Sequence, residues 1–511
     1  MIVNPIEQLK REKDGLDVLD DLIRYAKEGK GVEEIPAQDI ARFRWYGLFL
    51  RKRDQGRFML RLRMVNGQLS ASQAETLADL AEAYGMPRID LTTRQGVQIR
   101  GLSIADIPRI FEKLQASRMG FLQTGLDNIR NVTGCPVAGL DREELIDAKP
   151  YAEEIDRLIA GNREFSNIPR KFNISITGCQ EDCAHARFND IGFLPAVQRV
   201  DGDRSVGFQV LLGGAIGKLY TYEGRQSGLF IHPEEVLPVT RAILELFRDY
   251  GNRENRNKAR LFFLLEEWGM EKFVQQIREK TGLPLAPLSP EDMGCHKPIN
   301  DHIGVREQRQ QGYSYVGLSI PMGRISVPQL RQLARLSRKY SGGEMRLTTQ
   351  QNLIFPNVIY TRLDDLLREP LLHQFPVQPS PLWRGLVCCT GKQNCDLAVV
   401  ETKEAGQQLV RYLEERLDFS QEQTLRIHWS GCPNSCAQPQ LGDIGLSGTK
   451  TKVDGVGVDA VDILLGGKLA EAAGIDPGSV WMSKVPCSDL PDILFQFLKE
   501  RYPLRRAVKE A

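Results

Sequence analysis

The sequence predicts an α+β fold built from an internally duplicated unit, and three observations predict it. The first is a repeat in the outer parts of the chain: an apolar strand-like run, a glycine turn and a helix start occur at Phe58–Ser70 and again at Gly317–Ser326. Gly67 and Gly323, Ser70 and Ser326, and Leu91-Thr92-Thr93-Arg94-Gln95 and Leu347-Thr348-Thr349-Gln350-Gln351 all stand 256 positions apart. The second is a further repeat at an offset of 253, which pairs Cys179-x3-Cys183 with Cys432-x3-Cys436, Asp190-Ile191-Gly192 with Asp443-Ile444-Gly445, and Leu211 to Gly214 with Leu464 to Gly467. The third is the alternation of strand-like runs with amphipathic stretches, such as Gln73 to Tyr84 and Gln329 to Tyr340, inside each copy.

Taken in order, residues 1–40 are expected to form a helical N-terminal extension and 41–120 the first small α/β piece. Residues 121–300 form the first larger α/β piece, with a helical insert from about His232 to Gly282 that carries Arg253, Arg256, Lys258 and Arg260 as a solvated basic face. The second copy follows, its small piece at 301–380 and its larger piece at 381–511. The Leu-Leu-Gly-Gly segments do not fit the G-x-G-x-x-G pattern of dinucleotide sites, so any electrons come from outside the chain.

Charge and composition exclude several classes. With 67 Lys and Arg against 66 Asp and Glu, the net charge is +1, so nothing draws the whole chain to nucleic acid or to a membrane. No stretch reaches eighteen apolar residues and the charged start has no apolar core, which predicts a cytoplasmic chain, expected to be a monomer. Ten unevenly spaced cysteines in 511 residues do not make a disulfide scaffold.

The cysteines cluster instead. Five of the ten fall between Cys388 and Cys436, as Cys388-Cys389-x5-Cys395 and Cys432-x3-Cys436. Converging thiolates bind a metal ion or an iron–sulfur cluster, because both need several soft, deprotonated ligands at one point. C-x5-C fits zinc poorly, and Cys432-Pro433 is a weak pointer to iron–sulfur. The first copy has Cys135 where the second has its paired thiols, so a four-thiolate site can be completed in the second copy alone. Cys179 and Cys183 are then expected to be buried remnants.

With Thr92-Thr93-Arg94-Gln95 upstream, Cys-x5-Cys followed by Ser430-Gly-Cys-Pro-Asn-Ser-Cys436 resembles the sulfite and nitrite reductase hemoprotein family, in its ferredoxin-dependent, cyanobacterial-like branch. The resemblance covers nearly the whole chain. It implies two ferredoxin-like half-domains, two larger domains, a [4Fe-4S] cluster on Cys389, Cys395, Cys432 and Cys436, and a siroheme whose iron Cys436 bridges to the cluster. The Cys-Thr-Gly motif of the family favours Cys389 over Cys388. The implied reaction is the six-electron reduction of nitrite to ammonium with electrons from reduced ferredoxin. Sulfite reduction is the alternative, a precorrin-processing relative a remote one, and a non-catalytic metal-binding scaffold the reading from another class.

The resemblance also places Arg94, Arg130 and Lys171 on the substrate side of the siroheme; Gln98, Arg100 and Asn131 are expected as cofactor contacts from their proximity to these motifs alone. The counterpart of Arg94 is Gln350, so the fold does not require that charge. Converged cations repel by about 4 kcal/mol per pair at about 4 Å and an effective dielectric near 20, and persist when an anion offsets them. At position 173 related sulfite reductases carry a further lysine, whereas this chain has Asn173, whose uncharged amide suits monoanionic nitrite. Arg51-Lys52-Arg53, the Arg253 to Arg260 run and Arg505-Arg506 are the basic patches expected to meet an acidic ferredoxin.

Overall fold

The computed structural model describes residues 4–200, 203–218, 220–292, 299–419, 424–474 and 476–504. The two repeats start alike because the same local chemistry starts them. At Ser70 the hydroxyl accepts the N–H of Gln73 at 3.1 Å while the Gln73 side chain accepts the N–H of Ser70 at 3.0 Å, and Ser326 and Gln329 make the same reciprocal pair. These caps open the helices Ala71–Tyr84 and Val327–Tyr340. Both helices bury an i, i+3, i+4 stripe, Ala74-Leu77-Ala78-Ala81 in one and Leu330-Leu333-Ala334-Ser337 in the other. They lie against each other, tied on the outside by Arg331 to Asp79 at 2.8 Å and to Glu82 at 2.6 Å.

The sheets beneath them exchange a strand. In the first, the order is Leu48–Arg51, Arg57–Arg61, Val97–Leu102, Arg88–Leu91 and then Arg324–Ser326, which belongs to the second copy. In the second, Gly304–Glu307, Tyr313–Leu318, Leu353–Ile359 and Glu344–Leu347 are completed by Gln68–Ser70 of the first copy. Both exchanged strands pair antiparallel, with Ile325 opposite Ile89 and Leu69 opposite Met345. Each is launched by a left-handed turn, Asn66-Gly67 in one and Met322-Gly323 in the other. A Cβ on Gly67 would meet the Leu347 carbonyl oxygen at 2.2 Å, so this crossing demands glycine. One core, from Leu60, Leu77 and Ile99 through to Leu330, Leu333 and Phe355, runs under both sheets.

Each larger domain holds a mixed sheet with the same plan. In the first, Thr133–Gly134, Ile174–Ile176 and the start of Ile191–Val200 run parallel, and Asp203–Leu212 and Arg225–Ile231 return antiparallel. In the second, Leu386–Cys388, Ile427–Ser430, Ile444–Val453, Val456–Leu465 and Ser479–Pro486 do likewise. The helix Val236–Tyr250 follows its sheet as Leu490–Leu498 follows the other, so it belongs to the repeat and not to the expected insert. What is added is the pair Leu261–Trp268 and Met270–Thr281, whose Leu261, Leu265, Phe273 and Ile277 are buried in the domain core.

The basic run beside that pair is also not the solvated helix face expected of it. Arg253 pairs with Glu7 at 2.9 Å, Arg256 forks onto Asp127 at 2.6 Å through both terminal nitrogens, and Arg260 pairs with Asp190 at 2.7 Å with both side chains about 1% exposed. The reason is that Asp127 and Asp190 are buried and need cations.

Asp90 performs that role between the copies. It accepts Arg100 at 2.7 Å on its own sheet, Arg324 at 3.3 Å on the exchanged strand, and Lys403 at 3.3 Å from the second large domain. Burial works to raise its carboxyl, but Lys403 and Arg100 outweigh burial and hold it far below the usual carboxylate range. This contribution is full above the unfolded value of about 3.9 and is lost as pH falls below it. Asp90→Asn leaves Arg100 and Lys403 buried with no counter-charge, and we expect urea denaturation to show a loss of about 3–5 kcal/mol.

Candidate functional site

The four motif cysteines converge on one cavity. It lies where the first half-domain meets the second large domain and holds about 1530 Å³ of empty space, its mouth included. Cys389, Cys395, Cys432 and Cys436 all line it. Cys388 does not, because successive strand residues point to opposite faces: Cys388 ends the strand Leu386–Cys388 fully buried in the domain core, and Cys389 turns to the cavity. The Gly431 N–H donates to Cys389 Sγ at 3.1 Å, and the Thr93 hydroxyl, from the other copy, donates to the Cys436 carbonyl at 2.8 Å. Burial, with Cys436 and Cys395 nearby, pushes the Cys389 thiol up to about 12. Cys436 is raised too, by burial and Cys395, with Lys171, Arg61 and Arg94 opposing. Such thiols lose their protons to a bound metal centre, which supplies the positive charge they lack.

Opposite the thiols stand cations. Arg94, Arg130 and Lys171 line the cavity as the sequence placed them, together with Asn131 and Asn173. Burial lowers Arg94 to about 10, with Arg260 adding repulsion. Arg130 falls well below its usual value through burial and the charges of Arg61 and Arg94, and Lys171 does so through burial, Arg260, Arg94 and Arg130. Nη1 of Arg130, Oδ1 of Asn131 and Oδ1 of Asn173 are buried without hydrogen-bond partners. Each is a group that an occupant of the cavity can satisfy. Asn173 is positioned by its backbone, whose N–H donates to Asp190 at 2.8 Å, and Asp190 is in turn gripped by Arg260.

Three cavity cations, Arg51, Arg61 and Lys403, were not assigned to this site from sequence, and Lys403 is already paired with Asp90. Arg61 lines the wall and is lowered to about 10 by burial and by Arg51. Arg51, grouped above with a surface patch, lines it as well, and only Lys52 and Arg53 of that patch are exposed. The repeat held the signal: at an offset of 256 the counterparts of Arg51 and Arg61 are Glu307 and Gly317, the same loss of charge that marks Arg94. Gln98 borders the cavity, but Arg100 does not. Instead of reaching a cofactor, Arg100 is 2% exposed, paired with Asp90, and donates to the Thr390 hydroxyl at 2.9 Å and the Asn394 carbonyl at 3.4 Å. It positions the loop that carries Cys395. Arg505 and Arg506 lie outside the described residues.

Comparison with known proteins follows this layout. The nitrite and sulphite reductase 4Fe-4S domain matches residues 125–285 and 381–498, and the nitrite/sulfite reductase ferredoxin-like half domain matches 50–117 and 306–373. The chain belongs to the nitrite and sulphite reductase family. It is therefore an oxidoreductase with an iron–sulfur domain. Relatives in this family include a ferredoxin–nitrite reductase of Synechococcus elongatus, 44% identical across 98% of this chain and 97% of that one. A chloroplastic ferredoxin–nitrite reductase of Zea mays is 39% identical across 98% and 90%. The structure of the Mycobacterium tuberculosis NirA protein superposes with a TM-score of 0.88 at 30% identity, over 99% of this chain and 95% of the other. Among the described residues no helix is long and apolar enough to cross a membrane.

Because the family fold builds the same turn with Gln350 in the second copy, Arg94→Gln is expected to fold normally, its stability within about 0.5 kcal/mol of the parent. Its affinity for a small oxyanion in the cavity should fall about 10- to 100-fold, the worth of a hydrogen bond to a charged group, in a nitrite titration of the loaded enzyme.

Proposed function

We propose that this enzyme reduces nitrite to ammonium in six electrons taken from reduced ferredoxin, with siroheme and a [4Fe-4S] cluster as its cofactors. The observation that carries this is the pairing of four thiols with a wall of cations and the Asn173 amide in a single cavity. The relatives' names point the same way.

The residues fit both groups. Cys389, Cys395, Cys432 and Cys436 would hold the cluster, and Cys436, deep in the cavity with its accessible surface open to it, would also hold the siroheme. Arg51 and Arg61 would meet the carboxylates on the macrocycle rim, for which their guanidinium groups are suited, while Asn131, whose Nδ2 already donates to the Met64 and Arg94 carbonyls, offers its unpartnered Oδ1 to a donor on the occupant. When bound, siroheme supplies the iron centre at which nitrogen–oxygen bonds break, and the cluster supplies its electrons.

The protein's own groups do the rest. Arg94 and Arg130 bind the oxyanion through charge-assisted hydrogen bonds, for which Arg130 Nη1 is free. Lys171 Nζ is held short of its usual proton affinity by burial and by Arg260, Arg94 and Arg130, so it gives up a proton readily to a departing oxygen and regains charge when an anion is present. Asn173 adds hydrogen bonds without adding charge, which matches a monoanion better than a dianion. Thr93 and Arg100 hold the Cys436 and Cys395 turns in place from the other copy.

Ferredoxin would dock at Lys52 and Arg53, both exposed. Their backbone N–H groups and the Arg53 guanidinium hold the Cys395 loop through Asp396 and the Lys392 carbonyl. Leu397, 63% exposed on the same loop, gives that surface an apolar centre.

The direct test is nitrite-dependent oxidation of reduced ferredoxin with ammonium as product; a purified, loaded enzyme that turns over sulfite but not nitrite would reject the proposal. Asn173→Lys should raise the sulfite-to-nitrite ratio of kcat/KM by about tenfold or more, in line with about 1.5–3 kcal/mol for a hydrogen bond to a charged group. Cys389→Ala should lose its iron–sulfur iron in elemental analysis. Cys388→Ala, its neighbour in the core, should keep it and lose only about 1–2 kcal/mol of stability.

A further inference from the structure

A second group of soft ligands is buried on the far side of the pseudo-twofold axis, outside the cavity. Cys135, Cys179 and Cys183 are 1–2% exposed and pack with Tyr315. The Sγ atoms of Cys135 and Cys183 and a ring nitrogen of His302 all lie within 4.8 Å of one another. Cys179 packs in the same buried cluster, its thiol 3.7 Å from the Thr177 hydroxyl. His302 comes from the second copy and is 2% exposed, and its Nδ1 lies 3.3 Å from the Tyr315 hydroxyl. Its Nε2 is buried with no hydrogen-bond partner. A buried imidazole with one nitrogen unpartnered, standing beside two buried thiols, can accept a metal ion.

We propose that Cys135, Cys179, Cys183 and His302 bind one structural zinc ion. Three sulfurs and one imidazole form a closed tetrahedral donor set of the kind zinc takes in structural sites. At a Zn–S distance of about 2.3 Å the ligand atoms of a tetrahedron stand roughly 3.8 Å apart, so Cys135, Cys183 and His302, within 4.8 Å of one another, need a closure of about 1 Å at most, and Cys179, outside that group, a larger one. An iron–sulfur cluster fits this position badly, since the counterparts of Cys389 and Cys395 at an offset of 253 are Pro136 and Arg142.

The backbone around the ligands is also kept in shape. Asp182 and His185 are left-handed at φ 45° and 53°, as Ser435 and Gln438 are at 56° and 56° in the cluster motif. The Thr349 hydroxyl donates to the Cys183 carbonyl at 2.8 Å just as Thr93 does to Cys436. The first copy thus retains the geometry of a metal-binding turn, with His302 supplying the fourth ligand. A bound ion would fasten the first large domain to the second half-domain. Nothing in this inference depends on the nitrite chemistry.

The test is elemental analysis of the purified full-length holoenzyme with X-ray absorption at the zinc edge. The expected result is about one zinc per chain in addition to the cofactor iron, with three sulfurs at about 2.3 Å and one nitrogen at about 2.0–2.1 Å. Cys183→Ser and His302→Ala should each lower zinc at least tenfold and leave iron unchanged. His302→Cys, which keeps a soft ligand and guards against misfolding of the other two, should retain zinc with four sulfurs. Folded, iron-loaded enzyme with less than about a tenth of a zinc per chain would overturn the proposal, as would a disulfide between Cys135 and Cys183, extra iron in place of zinc, or zinc bound by oxygen and nitrogen alone.

Discussion

The exchange of one short strand in each direction is the constraint on which the rest of this structure depends. Arg324–Ser326 completes the first half-domain sheet and Gln68–Ser70 completes the second. Because each crossing is pinned at both ends, the turn at Thr92–Gln95 of one copy is laid over the Cys436 turn of the other, and the turn at Thr348–Gln351 over the Cys183 turn. The reciprocal bonds from Gln95 to the Leu347 carbonyl and from Gln351 to the Leu91 carbonyl fix this crossing. A cavity with cations from one copy and thiols from the other follows directly.

Duplication made the two sides of that axis free to differ. Wherever the first copy presents a cavity cation, the second has something else at the matching position: Glu307 for Arg51, Gly317 for Arg61, Gln350 for Arg94 and Thr424 for Lys171. The backbone is shared and the charge is not. Packing so many cations together works against folding until an anionic occupant offsets them, and the depressed values of Arg61, Arg94, Arg130 and Lys171 record that tension. Stability has been traded for a pocket already shaped to receive negative charge.

Much of this was legible in the chain because a duplicated sequence carries its own internal control. The fold class, the four thiols and the charge of Arg94 against Gln350 could be read from paired segments, whereas Arg130 and Lys171 rested on the family resemblance. The Cys388 and Cys389 ambiguity needed only the alternation of a strand to resolve. The strand exchange could not be read, since three-residue strands give no periodicity and pairing partners 234 to 278 positions apart leave no local trace. Arg61 was hidden inside a strand whose neighbours Leu60 and Leu62 are core residues, and His302 stands far in sequence from the thiols it joins. Arg100 stands outside the cavity lining, drawn to Asp90, whose burial the sequence does not show.

The interlocked sheets also govern how the protein can be made. As the chain leaves the ribosome, the first sheet has an unpaired edge at Arg88–Leu91 until residues 324–326 emerge, more than two hundred positions later. An edge of that kind is open to wrong partners while it waits. The pocket itself has no wall on its thiol side until Cys436 has been synthesised, so cofactors can be inserted only into a nearly finished polypeptide. Neither copy can mature ahead of the other, and a truncated product would hold half a binding site and an exposed edge.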